Sequence, residues 1–383
     1  MTRPVGVAVV GCGTISHQYL RNLTAFPDLR VVACADLDTD RAREVAKRYG
    51  VPVAGATEEA ITHPDVELVV NLTIPSAHAA VAGAAIEAGR HVYNEKPFAL
   101  DRESGTKVIE AAAAAGVRVG CAPDTFLGAG LQTAARLVAK GAIGTPLTAL
   151  TLLQGPGPES WHPSPEFLFQ RGAGPLFDMG PYYLTALVAL FGPAVRVAAV
   201  ARKAREERII GLGPRAGVRF PVEVPTHTTT LLEFAAGQAA TMVFSFDSPM
   251  HRSGFIEITG TEATMVVPDP NTFDGAVRLR RTLADDWVTI PAQGTTAGRG
   301  LGVLDMAQAI RADRPHRATG ELGLHVLDVM LAVTASAERG EFLPVGSTCP
   351  IPGPLPAGWN PADGQPGRTP PEPESPMPGA AVG

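Results

Sequence analysis

Short apolar segments alternate with helical patterns through residues 4–122. The apolar segments, which predict strands, are Val5–Val10, Val31–Ala35, Leu68–Leu72, His91–Tyr93 and Val117–Cys121. The intervening patterns, which predict helices, are Ser16–Ala25, Thr39–Tyr49, Ser76–Ala88 and Asp101–Ala115. Continuous apolar runs are typical of strands buried on both faces, and strand–helix alternation gives right-handed crossovers in a parallel sheet. The pattern therefore predicts an α/β domain with a doubly wound parallel sheet over residues 1–122.

The pattern changes beyond residue 123, where strand-like segments follow one another without intervening helices. They are Val195–Val200, Thr228–Phe234, Ala239–Phe246, Phe255–Thr259, Thr264–Val267, Val277–Arg280 and Trp287–Ile290. Helices are predicted at Leu131–Lys140, Met179–Phe191, Leu301–Arg311 and Glu321–Glu338. This order predicts an α+β domain over residues 123–343 with a large, mostly antiparallel open sheet. Residues 344–383 hold 12 Pro and 7 Gly and are predicted to form an extended or disordered tail.

Composition and charge exclude several classes of protein. The chain has 383 residues, 45% of them hydrophobic, which is enough for a packed core and excludes a disordered or fibrous protein. Its net charge of −6 leaves no basic excess to neutralise phosphates, so we expect no nucleic-acid partner. The longest nearly uncharged apolar stretch, Tyr182–Gly192, is shorter than the roughly 20 residues of a membrane span, so we expect no membrane partner. The four cysteines form no CxxC pair and no export signal is recognised, which predicts a cytoplasmic protein without a metal.

A glycine-rich turn follows the first predicted strand and begins the first predicted helix. Its candidate cofactor-binding residues are Gly11, Cys12, Gly13, Thr14 and Ile15. Glycines allow a pyrophosphate to approach the free amides of the helix N-terminus, although Ser16 replaces the usual third glycine and an ordinary strand–helix turn is the alternative. Asp36 ends the second strand, where a carboxylate accepts hydrogen bonds from an adenosine ribose. Asp38 would repel a 2′-phosphate, so NAD is favoured over NADP in spite of Arg41 one turn away.

Two further motifs resemble those of a known family. Glu95-Lys96-Pro97 directly follows the predicted strand His91–Tyr93, and a Gly-x-Gly-x-x-x-Asp-x-Gly pattern occupies residues 172–180. With the glycine-rich turn, these motifs resemble the Gfo/Idh/MocA oxidoreductase family over roughly residues 4–343. The resemblance implies a Rossmann domain and a nicotinamide-dependent oxidoreductase that acts on a hydroxyl or carbonyl of a sugar, glycoside or cyclitol. It also implies a second domain whose open sheet forms the interface of a homodimer or homotetramer.

The resemblance implies roles for individual residues as well. Those implied to lie along the cofactor are Thr73, Pro75, His78 and Glu95, together with Lys96. Lys96 would also reach the reacting hydroxyl, and Asp178 matches the aspartate of the family's catalytic helix. Tyr182 stands four residues later, where many members have a histidine acid/base. The proton acceptor is therefore open between Tyr182 and Lys96.

The chemistry of hydride transfer sets requirements for these side chains. Oxidation of a secondary alcohol needs a base within hydrogen-bond reach of the hydroxyl. We expect Lys96 and Tyr182 to share the proton, each lowering the pKa of the other, because a cation favours tyrosinate and burial disfavours a charged lysine. Asp178 is spaced i, i+4 from Tyr182, so on a helix both face the same way. The alternative roles are a helix N-cap for Asp178 and a core aromatic for Tyr182.

Three more residues are candidate substrate contacts. Trp161 and His162 lie in a Gly/Pro-rich stretch before the Asp178 motif, and Asp124 follows the last predicted parallel strand. An aromatic face packs on sugar CH groups and a neutral imidazole both donates and accepts, while ligands bind at the carboxyl ends of parallel strands. The alternatives are a loop anchored by a buried Trp161 with a surface His162, and a turn or cap role for Asp124.

Two other functions compete with a sugar or cyclitol dehydrogenase. One is a non-catalytic NAD-binding regulator of the same fold, and the other is a dehydrogenase of an aromatic trans-dihydrodiol. The presence of Lys96, Asp178 and a titratable Tyr182 favours an enzyme over a regulator. The sequence thus predicts an NAD-dependent oxidoreductase that acts on a CH–OH group.

Overall fold

The first domain is a parallel sheet with helices on both faces, in a computed structural model that describes residues 3–356 and 358–364. Its strands are β1 (Val5–Val10), β2 (Leu29–Ala35), β3 (Val53–Gly55), β4 (Leu68–Asn71), β5 (His91–Asn94) and β6 (Val119–Cys121). Its helices are α1 (Ser16–Leu23), α2 (Thr39–Tyr49), α3 (Thr57–Thr62), α4 (His78–Glu87) and α5 (Arg102–Ala115). The strand order β3-β2-β1-β4-β5-β6 confirms the predicted doubly wound sheet.

Strand β1 shows why these apolar segments form the centre of the sheet. All six of its residues are buried. Val7 and Val9 belong to a hydrophobic cluster that includes α1 and α2, whereas Ala8 and Val10 belong to a second cluster with α4 and α5. Because successive side chains of a strand point to opposite faces, β1 contributes to both layers. The strand order reverses between β1 and β4, which places a ligand crevice at their carboxyl ends.

The second domain is built on a nine-stranded sheet, in the order β16-β15-β14-β13-β7-β12-β11-β8-β17, beside a small β9–β10 hairpin. The strands are β7 (Pro146–Gln154), β8 (Ala194–Arg202), β9 (Glu207–Ile209), β10 (Arg219–Pro221), β11 (His227–Phe234), β12 (Ala239–Ser245), β13 (Arg252–Gly260), β14 (Thr264–Val267), β15 (Val277–Arg280), β16 (Val288–Ile290) and β17 (Leu343–Pro344). Its helices are α6 (Ala129–Ala139), α7 (Gly174–Phe191), α8 (Leu301–Ala312) and α9 (Gly320–Arg339). The predicted α+β architecture is confirmed, with one parallel pair, β7 and β12, among antiparallel neighbours.

Strand β7 lies near the middle of this sheet, although the sequence pattern did not predict it. It pairs with β12 on one side and β13 on the other. Leu147 and Leu150 are exposed on it, while Thr151 is fully buried. Polar and apolar residues therefore do not alternate between the two faces, and the period-two signal of a half-buried strand is lost.

Three helices of the second domain pack on its sheet: α9 contacts β8, α7 contacts β7, β11 and β12, and α6 contacts β14 and β15. Helix α8 instead contacts β6 of the first domain. Helix α9 is long and apolar enough to cross a membrane by length and composition alone. It is instead a core helix here, with 56% of its apolar window buried and with further contacts to α5 and α7.

The segment after β17 differs from the predicted extended or disordered tail. Residues 345–356 have no regular secondary structure and residues 358–364 include turns, and this part of the chain packs on the second domain and on α8. Leu355 is 6% exposed and its amide donates to Gln132 Oε1 at 2.8 Å. Trp359 Nε1 donates to Gln308 Oε1 at 2.9 Å. Residues 365–383 of the predicted tail lie outside the described residues.

A chain that ends at Pro344 is therefore expected to be less stable than one that ends at Gly364. The shorter chain loses the buried side chains of Cys349 and Leu355 and the hydrogen bond of Trp359. Their loss costs roughly 3–5 kcal/mol, so the Tm falls by about 5–10 °C. Thermal unfolding followed by circular dichroism measures the difference, and equal Tm values for the two chains would show that this packing adds nothing.

Candidate active site

Lys96 connects the two domains at the carboxyl end of β5. Its Nζ donates to the backbone carbonyl of Asp178 at 2.7 Å and to Asp178 Oδ1 at 3.1 Å. The two side chains retain 18% and 29% of their exposure, so the ion pair is largely buried but reachable from the crevice. The structure thus brings together two residues that are 82 positions apart in the chain.

Asp178 lies inside helix α7 rather than at its start. The helix begins at Gly174 with Ala173 as its N-cap, so the alternative N-cap role of Asp178 is wrong. Pro181 lies in the same turn and lacks the amide that would donate to the carbonyl four residues earlier. One helical turn after Asp178, Tyr182 faces the same side and completes a cluster with Lys96, which we call the Lys96 cluster (Lys96, Asp178 and Tyr182).

Tyr182 lies between two cations. It is 5% exposed, and Lys96 Nζ lies 5.3 Å from the centroid of its ring. The guanidinium of Arg299 lies 5.5 Å from the same centroid, and Arg299 Nη2 donates to the Tyr182 hydroxyl at 3.2 Å. Arg299 was not among the residues predicted from the sequence, since it lies in a loop 117 positions away with no motif of its own. Its position between two glycines is the only local signal.

The protonation of the cluster differs from the sequence-based expectation. Burial alone would lower the pKa of Lys96, but the charges of Asp178 and Glu95 and the Tyr182 hydroxyl outweigh it, so that pKa lies above its ordinary value. Burial raises the pKa of Tyr182 above its ordinary value, and the charges of Lys96 and Arg299 reduce that rise without reversing it. The expected mutual lowering is therefore wrong for Lys96, because the Asp178 carboxylate adjoins it. A charged Lys96 suits a hydrogen-bond donor to a developing alkoxide better than a base.

The glycine-rich turn has the shape that a dinucleotide requires. Gly11 has a φ of 97°, and a Cβ there would lie 2.6 Å from the Leu72 carbonyl, so a side chain is excluded. A Cβ on Gly13 would meet no protein atom within 4 Å, and Gly13 and Thr14 are exposed before α1. A cavity of about 580 Å³ opens beside them. The turn therefore leaves room for a pyrophosphate at the helix N-terminus, as NAD needs.

Asp36 lies under this turn. Its Oδ2 accepts from the Cys12 amide at 2.8 Å. Cys12 lines the cavity but is 2% exposed, and its thiol donates to the Ala35 carbonyl at 3.5 Å. Arg41 is ion-paired to Asp36 at 3.5 Å and to Asp38 at 3.3 Å. The two carboxylates thus engage the cation that could have bound a 2′-phosphate. The predicted contact of Asp36 with the adenosine ribose stays a prediction.

The loop after β4 combines exposed and buried residues. Ile74 and Pro75 are exposed along the crevice, and Thr73 Oγ1 donates to Asn71 Oδ1 at 2.6 Å. His78, predicted as a cofactor contact, is fully buried, and its ring nitrogens lie 2.7 Å from the Pro97 carbonyl and 3.0 Å from the Thr73 carbonyl. His78 offers no surface to a ligand and instead ties the loop after β4 to the loop after β5.

Glu95 links helix α1 to the backbone of Lys96. It is 7% exposed, and its Oε1 accepts from the Tyr19 hydroxyl on α1 at 2.9 Å. Its Oε2 accepts from the Lys96 amide at 2.8 Å. Glu95 therefore holds the backbone of Lys96 relative to the helix that begins at the glycine-rich turn.

Asp124 differs from its predicted role as a substrate contact. It is fully buried, and its Oδ2 accepts from the amides of Gly300 at 2.8 Å and Gly302 at 2.9 Å, at the start of α8. Burial raises the pKa of this carboxyl, while the two amides and Arg299 oppose the rise. In this structure Asp124 anchors the turn that carries Arg299.

Trp161 and His162 form part of an exposed aromatic surface. Trp161 is 63% exposed, so the alternative of a loop anchored by a buried tryptophan is wrong. His162 stacks edge-on against Trp161, with ring centroids 5.6 Å apart, and against Phe167, with centroids 5.4 Å apart. Beneath this loop the buried Arg208 pairs with Glu159. The aromatic faces are available to a ligand, and their role as substrate contacts stays a prediction.

The glycine-rich turn lies where the strand order of the parallel sheet reverses, and it faces the Lys96 cluster. This combination is typical of a dinucleotide-dependent oxidoreductase. The family model "Oxidoreductase family, NAD-binding Rossmann fold" matches residues 5–122, and "GFO/IDH/MocA C-terminal domain" matches residues 131–266. The chain belongs to the GFO/IDH/MocA oxidoreductase family. Its first domain is an NAD-binding domain.

Individual relatives agree with this assignment. Inositol 2-dehydrogenase 3 from Saccharopolyspora erythraea is 36% identical over 163 residues, which are 41% of this chain and 48% of that relative, so the match spans about half of its length. The 1,5-anhydro-D-fructose reductase from Ensifer adhaerens is 25% identical over 342 residues, 87% of this chain and 96% of that relative. The crystal structure of an NAD binding oxidoreductase from Klebsiella pneumoniae has a TM-score of 0.78 at 25% identity, covering 89% of this chain and 99% of that one.

Proposed function

We propose that the protein is an NAD-dependent dehydrogenase of a secondary hydroxyl group in a sugar, glycoside or cyclitol. The observation that carries this proposal is the Lys96 cluster, in which a charged Lys96 is held by Asp178 beside Tyr182 at the carboxyl end of the NAD-binding sheet. A relative matched over 96% of its length is an anhydro-sugar reductase, and one matched over 48% of its length is an inositol dehydrogenase. Both support a polyhydroxylated substrate.

The residues of the cluster have separate tasks in this proposal. Bound NAD supplies the hydride acceptor. Lys96 donates a hydrogen bond to the substrate oxygen and stabilises the negative charge that develops there, which is the kind of interaction that contributes most to such reactions. Asp178 holds Lys96 in place and keeps it charged. Tyr182 takes the hydroxyl proton, because the raised pKa of Lys96 leaves no free pair on its nitrogen.

We propose that Asp36 sets the cofactor preference, and we expect Asp36→Ala to weaken NAD binding about 10–150-fold and to raise the ratio of NADP to NAD turnover. The variant removes a charged acceptor for the ribose, which is worth roughly 1.5–3 kcal/mol, and it leaves Arg41 with Asp38 alone. Isothermal titration calorimetry with each cofactor measures the change in binding, and steady-state kinetics with each cofactor measures the change in the turnover ratio. Asp40→Ala is the matched control, since Asp40 is exposed and pairs only with Arg43. Unchanged NAD affinity in Asp36→Ala would contradict the assignment of the ribose site.

The open face of the nine-stranded sheet supports assembly into a homo-oligomer. The β-strand register aligns Leu150, Leu231 and neighbouring Val200 on this face, and they are 38%, 53% and 58% exposed. Adjacent exposed apolar residues of this kind mark an interaction surface. We expect sedimentation to give the mass of a dimer or tetramer, and Leu231→Glu to shift it towards the monomer. A wild-type protein that sediments as a monomer would contradict the proposal.

A substrate panel tests the proposed activity. The protein is mixed with NAD and with inositols, aldoses, anhydrohexitols and an aromatic trans-dihydrodiol, and separately with NADH and 1,5-anhydro-D-fructose. The absorbance of the reduced nicotinamide is followed in each case. We expect turnover of at least one compound, at a rate about 10²–10³-fold lower in Lys96→Met. NAD binding without turnover of any polyol would instead support the non-catalytic regulator, and turnover confined to an aromatic trans-dihydrodiol would support the third candidate.

A further inference from the structure

Arg299 connects helix α1, which begins at the glycine-rich turn, to the Lys96 cluster. It lies between Gly298 and Gly300 in the loop before α8, and both glycines have positive φ, 103° and 102°. Its Nη2 donates to the Tyr182 hydroxyl and to Asn271 Oδ1, each at 3.2 Å. Its Nε donates to Gln18 Oε1 on α1 at 3.1 Å. One guanidinium therefore contacts the tyrosine and the helix that begins at the glycine-rich turn.

The loop that carries Arg299 is fixed from several sides. Asn22 of α1 donates to the Arg299 carbonyl at 2.7 Å. Asp124 accepts the amides of Gly300 and Gly302. A side chain at Gly302 is excluded, since its Cβ would lie 2.3 Å from the Tyr93 hydroxyl. The backbone of Arg299 is thus fixed without Tyr182, and Gln18 and Asn271 accept hydrogen bonds from the guanidinium beside Tyr182.

The charges around Tyr182 are not equivalent. The charged groups that face it are Lys96, Arg299, Glu95 and Asp178. Lys96 is neutralised at close range by the carboxylate of Asp178, 3.1 Å away. In the described part of the chain, Arg299 has no carboxylate in ion-pair contact, and its buried Nη1 has no hydrogen-bond partner. The hydrogen-bond partners of Arg299 are neutral groups. The buried carboxylates of Glu95 and Asp124 attract the guanidinium from beyond ion-pair distance, so its positive charge is not neutralised by direct contact and remains available to a phenolate.

We propose that Arg299 is a positioning residue that holds Tyr182 and stabilises its phenolate, so that Tyr182 accepts the proton of the substrate hydroxyl. This inference rests on the proposed dehydrogenase function. The O–H bond of the alcohol breaks and the O–H bond of Tyr182 forms. The electron pair of the C–H bond leaves with the hydrogen to NAD, which is reduced, and the alcohol is oxidised to a carbonyl. A cation at hydrogen-bond distance from a phenol lowers its pKa by roughly 1–3 units.

The first test measures the titration of Tyr182 directly and needs no substrate. The protein has 5 tyrosines, so the tyrosinate absorbance of each variant is compared with the same variant carrying Tyr182→Phe, and the difference isolates Tyr182. Arg299→Gln is expected to raise the pKa of Tyr182 by about one unit or more, and Arg299→Lys by less. The control is Arg202→Gln, an exposed position at the end of β8, which should leave the titration unchanged.

A second pair of variants leaves Arg299 and Tyr182 in place. Gln18 is exposed and accepts from Arg299 Nε, so Gln18→Glu puts a carboxylate beside the guanidinium with almost no change of shape. We expect Gln18→Glu to raise the pKa of Tyr182 and Gln18→Ala to leave it nearly unchanged. This pair decides the question if Arg299→Gln does not fold. A titration of Tyr182 that is the same in Gln18→Glu as in wild type would overturn the proposal.

The pH dependence of turnover provides a second measurement of the pKa of Tyr182. Tyr182 must be deprotonated to act as a base, so the rate rises as pH passes the pKa of Tyr182. In Arg299→Gln this rising limb should move to higher pH, and kcat below the limb should fall about tenfold for each unit, with KM little changed. If the titration shifts while no polyol is turned over, the proposed function fails and the coupling of Arg299 to Tyr182 stands. If polyols are turned over with an unmoved limb, the role of Arg299 is refuted and the function stands.

Discussion

Lys96→Met is expected to lower kcat by about 10²–10³-fold while NAD binds with nearly unchanged affinity. The substitution removes the donor to the substrate oxygen, and loss of one such donor costs roughly 2.7–4 kcal/mol in the transition state. It also leaves Asp178 without its cation, so the charge that develops on the substrate oxygen meets a carboxylate instead of an ammonium. Steady-state kinetics and NAD titration measure the two quantities separately.

The control for this prediction is Lys107→Met. Lys107 is 70% exposed on α5 and pairs with Glu103 one helical turn away, so its loss removes a surface ion pair and nothing at the crevice. We expect the wild-type kcat in Lys107→Met. A Lys96→Met enzyme that turns over as fast as this control would show that Lys96 does not assist the reaction.

Tyr182→Phe is expected to lower kcat by about 10²–10⁴-fold and to remove the rising limb of the pH–rate profile. The reason is that the positioned base is lost while the ring remains between Lys96 and Arg299. Turnover measured across pH gives both results. If Tyr182→Phe keeps a substantial rate and the rising limb of its pH–rate profile, the base is another group.

The neighbouring tyrosine provides a matched control. Tyr183 is fully buried, and its hydroxyl accepts from the Gly254 amide at 2.8 Å and donates to the Leu152 carbonyl at 3.3 Å. Tyr183→Phe should therefore cost about 1–3 kcal/mol of folding stability and leave kcat unchanged. An equal loss of turnover in both variants would point to damage of helix α7 rather than to loss of a base.

The first domain could be predicted from the sequence because its central strands are continuous apolar runs. Strand β3 and helix α3 were not predicted, since β3 is three residues long and partly exposed at the sheet edge. Strand β7 was missed for the opposite reason, because its exposed face also carries leucines. The segment after Pro344 has the composition of a tail, and only the structure shows Leu355 buried against the second domain.

The site could be predicted where a motif fixes a residue to an element. Lys96 follows β5, and the i, i+4 spacing aligns Asp178 with Tyr182, which the structure places together. Such motifs do not determine the direction in which a side chain points. Asp124 and His78 were expected to contact ligands, but both side chains point inward and hydrogen-bond to backbone groups. Arg299 could not be predicted, because its contact with Tyr182 depends on how the second domain folds back onto α1.

The charge state of the cluster also required the structure. The sequence places a lysine and a tyrosine together and suggests that each lowers the pKa of the other. The position of the Asp178 carboxylate, 3.1 Å from Lys96 Nζ, reverses the direction for Lys96. A fixed charge at this distance outweighs burial, which is the reason for proposing Tyr182 rather than Lys96 as the base.

Transfer of deuterium to NAD tests the hydride transfer at the Lys96 cluster most directly. The protein is incubated with NAD and with inositols and aldoses deuterated at every carbon, and the nicotinamide is analysed by mass spectrometry and NMR. We expect deuterium at one face of the reduced nicotinamide with the wild-type protein and a rate at least about 10²-fold lower with Lys96→Met. Reduced nicotinamide without deuterium, or label transfer at the same rate in Lys96→Met, would contradict hydride transfer at this site.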